Sequence, residues 1–399
     1  MKKILKILLS LFFIPITLAI YLLRSFVFVR WYNVQIFNRI GTCVSMLEYF
    51  FVNSNKRGKF FTILIFPKNE FANNFLEKKY KNKITLMPHW FVLILDFTNN
   101  YISKILKSGQ IHKINEGEMK IRDDNGNLQK KKIFLSFNEA ENNKGLLFLK
   151  QIGCAPKKKI ICLIIRDEDY LKKAQPSVDF SYHSYRNSDP NSYIEGIKHL
   201  TEQGYFVIRM GKFTKNKINF DNKNFFDYGA SEKRSDFLDI WLIKKSTFCI
   251  STGTGLEEVA RLFLKPILFI NFTNSRLFTS HTCGITYPKI LCKNNKQLSL
   301  SDYFKTNNNL SKTQDFLDQN ITITNYNSSE IKIIFEEFNE MYKNNFMILK
   351  KNHQILQNKF MLDFKKCLHQ DQELKINHKF MHEKGYMGYY FLKKVYNET

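Results

Sequence analysis

The residues best suited to chemistry lie in the middle of the chain. Arg166, Arg209 and the small-residue segment STGTG at 251–255 each come directly after a short apolar run. Guanidinium groups bind diphosphates through paired hydrogen bonds, and turns of small residues let backbone amides approach an anion. These residue types favour a phosphate-containing ligand. The turn lacks the lysine of a P-loop and the spacing of a dinucleotide fingerprint, so those two types of site are excluded.

A polar loop with the sequence YHSYRNSDPNSY, residues 182–193, lies between the first of these apolar runs and the next helix. It offers these hydrogen-bonding side chains: Tyr182, His183, Tyr185, Arg186, Asn187 and Asp189. Loops placed by a rigid scaffold commonly carry binding residues. Histidine side chains ordinarily titrate in the range that suits a general base, so His183 is a candidate base, and the alternative is a solvated loop histidine.

Simpler structural roles stay open for the same residues. Arg166 could form a surface ion pair with Asp167 or Asp169. The segment 251–255 could be a tight strand-to-helix turn capped by Thr252 or Thr254. Asp227 and Tyr228 also fall at the end of a predicted strand, where an ordinary turn is the alternative.

The surrounding pattern predicts an α/β fold. From Lys157 onward, buried strands alternate with helices, and Ser235 with Asp236 predicts a helix start that continues to about Lys245. This alternation indicates a parallel, doubly wound sheet, in which ligands bind at the carboxyl ends of the strands. The earlier part is less regular, and the segment 89–97 (HWFVLILDF) is interpreted as a strand.

Composition narrows the classes of partner. Lys and Arg number 61 against 36 Asp and Glu, a net charge of +25, which favours nucleic acid, phospholipid or a phosphorylated metabolite. The lysines are scattered and no nucleic-acid motif is found, so we expect no nucleic-acid partner. Seven cysteines without a CxxC pair indicate a reducing compartment and no disulfide framework or zinc site. No acidic pair is placed like a metal-binding motif, so we expect no metal and no cofactor.

The N-terminus predicts a membrane anchor over residues 1–30. Three lysines precede the uncharged segment 7–23, whose length is near the lower limit for a membrane span. Its length and the absence of a small-residue cleavage site argue against a signal peptide. A short span and a shallow interfacial helix both stay open. Positive residues flank both ends, which leaves the orientation open.

Several segments together resemble a family of bacterial glycosyltransferases that are often encoded with surface-polysaccharide genes. The segments are RDEDYL, the loop and helix from YHSYRNSDPNSY to VIRMG, the stretch from FFDYGA to LFIN, and GITYPKIL. The resemblance is dense over 160–292. Earlier, FNRIGTCVSMLEYF is similar to the family's Arg-Ile-Gly-His element, with Thr42 in place of the His. IIRDED is more distantly similar to fucosyltransferases that hold a GDP-sugar diphosphate with a strand-end Arg, although Ile165 replaces their His.

The resemblance implies a GT-B-like α/β fold of two Rossmann-like domains with parallel sheets. We expect a membrane anchor over 1–30, an acceptor domain over 31–156, a nucleotide-sugar domain over 157–315 and a helical tail over 316–399. The implied function is transfer of a sugar from a nucleotide-sugar donor to a glycan or lipid-linked acceptor. The expected location is the inner membrane, with the catalytic domains in the cytoplasm. Two alternatives stay open: a non-catalytic membrane scaffold of polysaccharide assembly built on a degenerate nucleotide-sugar fold, and a basic membrane-surface or nucleic-acid binder.

The resemblance also assigns roles to residues. The diphosphate would contact Arg166, Ser251, Thr252, Gly253, Thr254 and Gly255, and the nucleotide region would contain Arg209, Gly211, Asp227, Tyr228, Ser235 and Asp236. The 182–189 loop would face the reacting sugar. The base that deprotonates the acceptor would be His183 or a carboxylate of the N-terminal half such as Asp96.

Overall fold

The computed structural model describes residues 3–54, 61–123, 125–167, 173, 179–212, 214, 216–273, 282–348, 350–370 and 381–397. The chain divides into two compact units. The smaller contains Met1–Arg122 and Lys130–Ser136, and the larger contains Asp123–Gln129 and Phe137–Thr399. The helix Glu139–Gln151, which precedes the domain boundary expected from the sequence, lies in the larger unit.

The smaller unit is built on a parallel sheet of strand order β1-β2-β3. Its elements are α1 (Lys3–Leu22), β1 (Val27–Trp31), α2 (Ile40–Asn53), β2 (Phe61–Pro67), α3 (Asn74–Tyr80), β3 (Thr85–Met87) and α4 (His89–Ile105). Trp31 is fully buried in a cluster with Phe13, Ile65 and residues of α4. In the part of the chain that the structure describes, no helix is long and apolar enough to cross a membrane.

The strand interpretation of 89–97 is wrong, because this segment begins the helix α4. A short apolar run does not distinguish a strand from a buried helix turn by its periodicity. Here Val92, Ile94 and Leu95 are buried, and the outward positions Trp90 and Leu93 are also apolar. Over residues 90–97 the outward positions therefore carry no polar residue that would mark a helix face.

The larger unit contains a parallel sheet of seven described strands in the order β13-β9-β8-β7-β4-β5-β6, which confirms the predicted parallel α/β fold. The strands are β4 (Ile160–Ile164), β5 (Phe206–Met210), β6 (Phe225–Asp227), β7 (Phe248–Ser251), β8 (Ile267–Phe272), β9 (Gly284–Pro288) and β13 (Gly385–Met387). Every residue of β4, β5, β7, β8 and β9 is buried. Continuous apolar runs of this kind are expected for strands covered on both faces.

Helices and a small antiparallel sheet complete this unit, except that the last residue of the first of these helices, Lys130, belongs to the smaller unit. They are α5 (Asn127–Lys130), α6 (Glu139–Gln151), α7 (Ile194–Glu202), α8 (Asp236–Lys245), α9 (Glu257–Leu262), β10 (Ile290–Lys293), β11 (Lys296–Gln297), α10 (Leu300–Asn309), α11 (Thr313–Leu317), β12 (Ile321–Thr324), α12 (Ser328–Lys343), α13 (Lys351–Gln370) and α14 (Tyr389–Tyr396). The Ser235 side chain caps α8 by accepting a hydrogen bond from the Leu238 amide, as predicted. The helical tail also contains β12 and the sheet-edge strand β13.

Gly284 fixes the start of β9, the strand that leads to Lys289. Its φ is 151°, and a Cβ atom there would lie 2.0 Å from the carbonyl oxygen of Ile267. We expect Gly284→Ala to lower the free energy of unfolding by about 3 kcal/mol or more, because the backbone of β8 would have to shift. Denaturant unfolding measures this change.

Gly204→Ala is the matched control. Gly204 also has a positive φ, of 89°, but its Cβ would meet no atom within 4 Å. This variant should cost only about 1 kcal/mol of conformational strain. Equal losses in the two variants would contradict the steric argument.

Candidate functional site

The order of the strands singles out one place on the carboxyl edge of the large sheet. From β4 the chain adds β5 and β6 on one side, and from β7 it adds β8 and β9 on the other. In such sheets ligands bind where the order reverses, which here is between the ends of β4 and β7. Ile164 pairs with Ser251 at this point. The Arg166 amide then donates a hydrogen bond of 2.8 Å to Thr252 Oγ1, so the two loops meet directly.

The polar loop lies against the same edge. The Ser188 amide donates to the Arg166 carbonyl at 3.1 Å, and Arg186 Nη2 donates to the Gly253 carbonyl at 2.9 Å. The loop is held from its other side by Thr313 at the start of α11. The Thr313 hydroxyl lies 3.0 Å from Ser184 Oγ and accepts from the Tyr185 amide at 3.2 Å. Contacts on both sides of the loop therefore hold it over the ends of β4 and β7, where the strand order reverses.

Lys289 is a functional candidate that the sequence interpretation missed. It follows β9, is only 2% exposed, and donates from Nζ to the carbonyls of Tyr185 at 2.8 Å and Asn187 at 2.7 Å. These carbonyls flank Arg186, so the ammonium and two guanidinium groups share one region. We call Arg166, Arg186 and Lys289 the cation cluster. The available signal was a lysine directly after the strand-ending proline in GITYPKIL.

The electrostatics show that these charges are held close together in a poorly solvated place. The pKa of the Lys289 amine is lowered to about 7, first by burial and then by the charges of Arg166 and Arg186. The pKa of Arg166 is lowered to about 10, again by burial first and by Arg186 second. Within the described ranges, the buried Nε of Arg166 has no hydrogen-bond partner. An anion in this region would relieve the repulsion and supply the missing acceptor.

The turn 251–255 differs from its expected role. Its donors are used inside the chain, because Glu257 Oε2 accepts from the Thr254 amide at 2.7 Å and from the Thr254 and Ser251 hydroxyls at 3.0 and 3.3 Å. The Gly253 amide donates to Ser251 Oγ at 3.1 Å. The segment is therefore a closed strand-to-helix turn, and the expectation of an open amide cradle is corrected. The exposed Gly255 lies outside this set of contacts.

Arg209 and Asp227 form a buried ion pair at 3.1 Å. Arg209 is fully buried, lies 3.4 Å from Asp167 Oδ2, and donates to the Asn216 carbonyl at 2.5 Å. Asp227 Oδ2 also accepts from the Ile218 amide at 2.9 Å. A buried charge needs such partners. These two residues therefore tie together the ends of β4, β5 and β6, while the buried Nε of Arg209 has no hydrogen-bond partner among the described residues.

The remaining residues that were expected around the nucleotide also make contacts within the protein that hold its loops and helices in place. The fully buried Tyr228 hydroxyl donates to Asp239 Oδ1 at 2.9 Å and accepts from the Ser235 amide at 3.0 Å. Asp236 pairs with Arg234 at 2.5 Å. Gly211 packs against Gly229, where a Cβ would lie 3.1 Å from the Gly211 Cα.

The two candidate bases lie in different units. His183 is half-buried in the polar loop, where its ring centroid lies 4.1 Å from that of Tyr182. Asp96 lies in α4 of the smaller unit and accepts from Lys113 Nζ at 2.9 Å, Asn33 Nδ2 at 2.9 Å and Trp31 Nε1 at 3.3 Å. The Asp96 carboxylate is therefore engaged by three donors inside the smaller unit. His183 is therefore the stronger candidate.

The other loop residues have local roles. The Asp189 carboxylate accepts from the Asn191 amide at 3.0 Å, and the Tyr185 ring packs 5.0 Å from the Phe316 ring. Among the described residues, no group of three or more His, Cys, Asp and Glu could hold a metal ion.

No family model and no curated protein matches the chain. The chain is similar to the solved structure of the glycosyl transferase family 9 from Veillonella parvula DSM 2008, with 8% identity and a TM-score of 0.35, covering 60% of this chain and 79% of that one. It is also similar to E. coli ADP-heptose LPS heptosyltransferase II, with 11% identity and a TM-score of 0.32, covering 60% and 83%. Both scores are low, so the functional inference depends on the chemistry of the site.

The lowered pKa of Lys289 predicts a pH-dependent contribution to stability. The unfolded chain holds this proton up to about pH 10.5, whereas the folded chain releases it at about pH 7. Between these values the unfolded state binds more protons, so the free energy of unfolding should rise with pH. Lys289→Met should lose this part of the rise, which denaturant unfolding at a series of pH values measures.

Lys198→Met, at an exposed lysine of α7, is the control and should keep the rise. If the curves of the wild type and Lys289→Met are parallel across this range, Lys289 does not carry a lowered pKa.

Proposed function

We propose that the protein is a glycosyltransferase that moves a sugar from a nucleotide-sugar donor to a hydroxyl of a glycan or lipid-linked acceptor. The proposed process is surface-polysaccharide synthesis at the cytoplasmic face of the inner membrane. One observation carries the proposal: three cations, at Arg166, Arg186 and Lys289, are concentrated at the reversal point of a doubly wound parallel sheet.

The cation cluster fits a diphosphate better than a single phosphate or a carboxylate. Arg166 can offer two parallel hydrogen bonds. Further positive charge comes from Arg186 in the polar loop and from Lys289, which follows β9. In a poorly solvated site these charges act strongly on the negative charge that develops on a departing nucleoside diphosphate. In the proposed reaction, side-chain cations therefore stabilise the leaving group.

The proposed transfer is a substitution at the anomeric carbon of the donor sugar. The acceptor oxygen forms a bond to the anomeric carbon, while the bond between that carbon and the diphosphate oxygen breaks. The bonding electrons leave with the nucleoside diphosphate, which the cation cluster holds. The acceptor proton passes to His183, which lies on the same loop as Arg186.

A second candidate function is a non-catalytic scaffold of polysaccharide assembly. The closure of the turn 251–255 on Glu257 favours it, because the amides of Gly253 and Thr254, in a segment expected to hold the donor, are already used inside the chain. A scaffold of this kind could still bind a nucleoside diphosphate but would not release one from a nucleotide-sugar. Turnover of the donor therefore separates the two functions once the donor is known.

The first test is thermal stabilisation by UDP, GDP, ADP and CMP. A ligand at about 100 times its Kd adds about 2.7 kcal/mol of stability. We expect one of the diphosphates to stabilise the folded chain and the monophosphate CMP to do so less. A lack of stabilisation by every nucleotide would contradict the proposal.

Arg166→Ala should weaken binding of the stabilising diphosphate by roughly tenfold or more. Removal of a charge-assisted hydrogen bond costs about 1.5–3 kcal/mol, which corresponds to that factor. Arg166→Lys should restore only part of the affinity, because a point charge does not reproduce a paired contact. Calorimetric titration measures each Kd.

The control is Lys198→Ala, which removes one exposed charge from α7 of the same unit. Its Kd should change by less than about twofold. Unchanged affinity in folded Arg166→Ala would show that the diphosphate does not bind at this edge.

A further inference from the structure

The smaller unit presents an apolar surface formed by two adjacent helices. One side of α1 packs along α4: the rings of Phe13 and Phe91 lie 4.9 Å apart, and Thr17 Oγ1 lies 2.8 Å from Thr98 Oγ1. Because successive contacts advance along both helices, α1 and α4 run in the same direction. α1 is therefore fixed to the unit through one side, and its other side is open.

The open side of α1 is apolar from Leu11 to Leu22. Phe12 is 77% exposed, and on α4 Trp90 is 50% and Ile105 is 77% exposed. Among the side chains that the structure describes, the large exposed apolar ones on α1, α4 and the residues that follow them are Leu11, Phe12, Ile14, Ile16, Leu18, Leu22, Leu23, Phe26, Trp90, Leu93, Tyr101, Ile105 and Leu106. We call this set the α1–α4 face. Soluble proteins rarely expose a contiguous apolar surface of this extent unless it binds something.

The charges around the α1–α4 face are of one sign. Arg24, Lys104 and Lys107 are exposed next to the carboxyl ends of the two helices. The single acidic residue in α1 and α4 is Asp96, and its carboxylate is turned inward to Lys113, Asn33 and Trp31. Apolar residues, interfacial aromatics and flanking cations without exposed acids are the features of helices that lie on an anionic lipid surface.

We propose that the α1–α4 face docks this protein onto an anionic lipid bilayer. Its apolar side chains enter the boundary between headgroups and acyl chains, with Trp90 and Tyr101 at headgroup depth. Arg24, Lys104 and Lys107 lie against lipid phosphates. This proposal gives the location in the proposed function a physical surface, but it depends on no residue of the cation cluster.

The tryptophans make a direct test possible. The chain has three, and Trp31 and Trp241 are buried at 0% and 2% exposure, so quenching by lipids with brominated acyl chains reports Trp90. The full chain is mixed with vesicles of phosphatidylcholine, alone or with phosphatidylglycerol. We expect strong quenching with the anionic vesicles and none in Trp90→Phe. Flotation of the vesicles measures binding independently.

Variants separate the apolar and the charged contributions. Phe12→Glu/Trp90→Glu should lower vesicle binding by at least roughly tenfold, because two charges would enter the apolar layer. Arg24→Ala/Lys104→Ala/Lys107→Ala should lower binding to anionic vesicles and leave the weak binding to phosphatidylcholine unchanged. Ile333→Glu/Leu362→Glu changes two exposed apolar residues of the larger unit and should bind like the wild type.

The outcomes of the vesicle-binding tests can be distinguished from those of the nucleotide-binding tests of the proposed function. Thermal stabilisation by the nucleoside diphosphate should be the same in Phe12→Glu/Trp90→Glu as in the wild type, which also shows that the variant is folded. The docking proposal is overturned if the wild type does not float with anionic vesicles or if Phe12→Glu/Trp90→Glu floats as well as the wild type. It is also overturned if light scattering shows a dimer that this variant loses while vesicles bind neither protein, since the face would then cover a second copy.

Discussion

Mutual repulsion among three buried or half-buried cations is the constraint on which the site depends. Backbone carbonyls of Tyr185, Asn187 and Gly253 accept hydrogen bonds from Lys289 and Arg186, and the carboxylates of Glu257 and Asp167 offset part of the repulsion at Arg166. Such an arrangement is costly in a low dielectric unless the surrounding frame imposes it. The frame does so by bringing the ends of β4, β7 and β9 and one polar loop to the same edge. The repulsion is relieved when a polyanion binds, which makes the site selective for charge.

The other charged groups of the edge maintain that frame. Arg209 is neutralised by Asp227 and Asp167, and Glu257 takes up the donors of the turn after β7. Buried charges in proteins are normally paired in this way. The cation cluster is different, because positive charge is in excess there. This contrast separates residues that hold the strand ends from residues that can hold a ligand.

The sequence predicted the parallel α/β fold, the Ser235 cap and the position of Arg166 at a strand end, because these follow from local periodicity and from the rule for open sheets. It did not predict Lys289, since nothing local shows that β9 ends beside a loop formed about a hundred residues earlier. For the turn 251–255 the sequence left two alternatives, a tight strand-to-helix turn and a diphosphate contact, because nothing local shows that the Glu257 side chain folds back onto Ser251 and Thr254. The helix α4 was taken for a strand because its outward residues are apolar, the same property that makes the α1–α4 face.

Proton uptake on ligand binding tests the central claim most directly. At about pH 8 the Lys289 amine is largely neutral, and a diphosphate beside it should raise its pKa so that it gains a proton. Calorimetric titration with the stabilising nucleoside diphosphate, in two buffers of different ionisation enthalpy, counts this proton. We predict uptake approaching one proton per ligand in the wild type and none in Lys289→Met. Binding without proton uptake, or equal uptake in both proteins, would show that the diphosphate does not lie at the cation cluster.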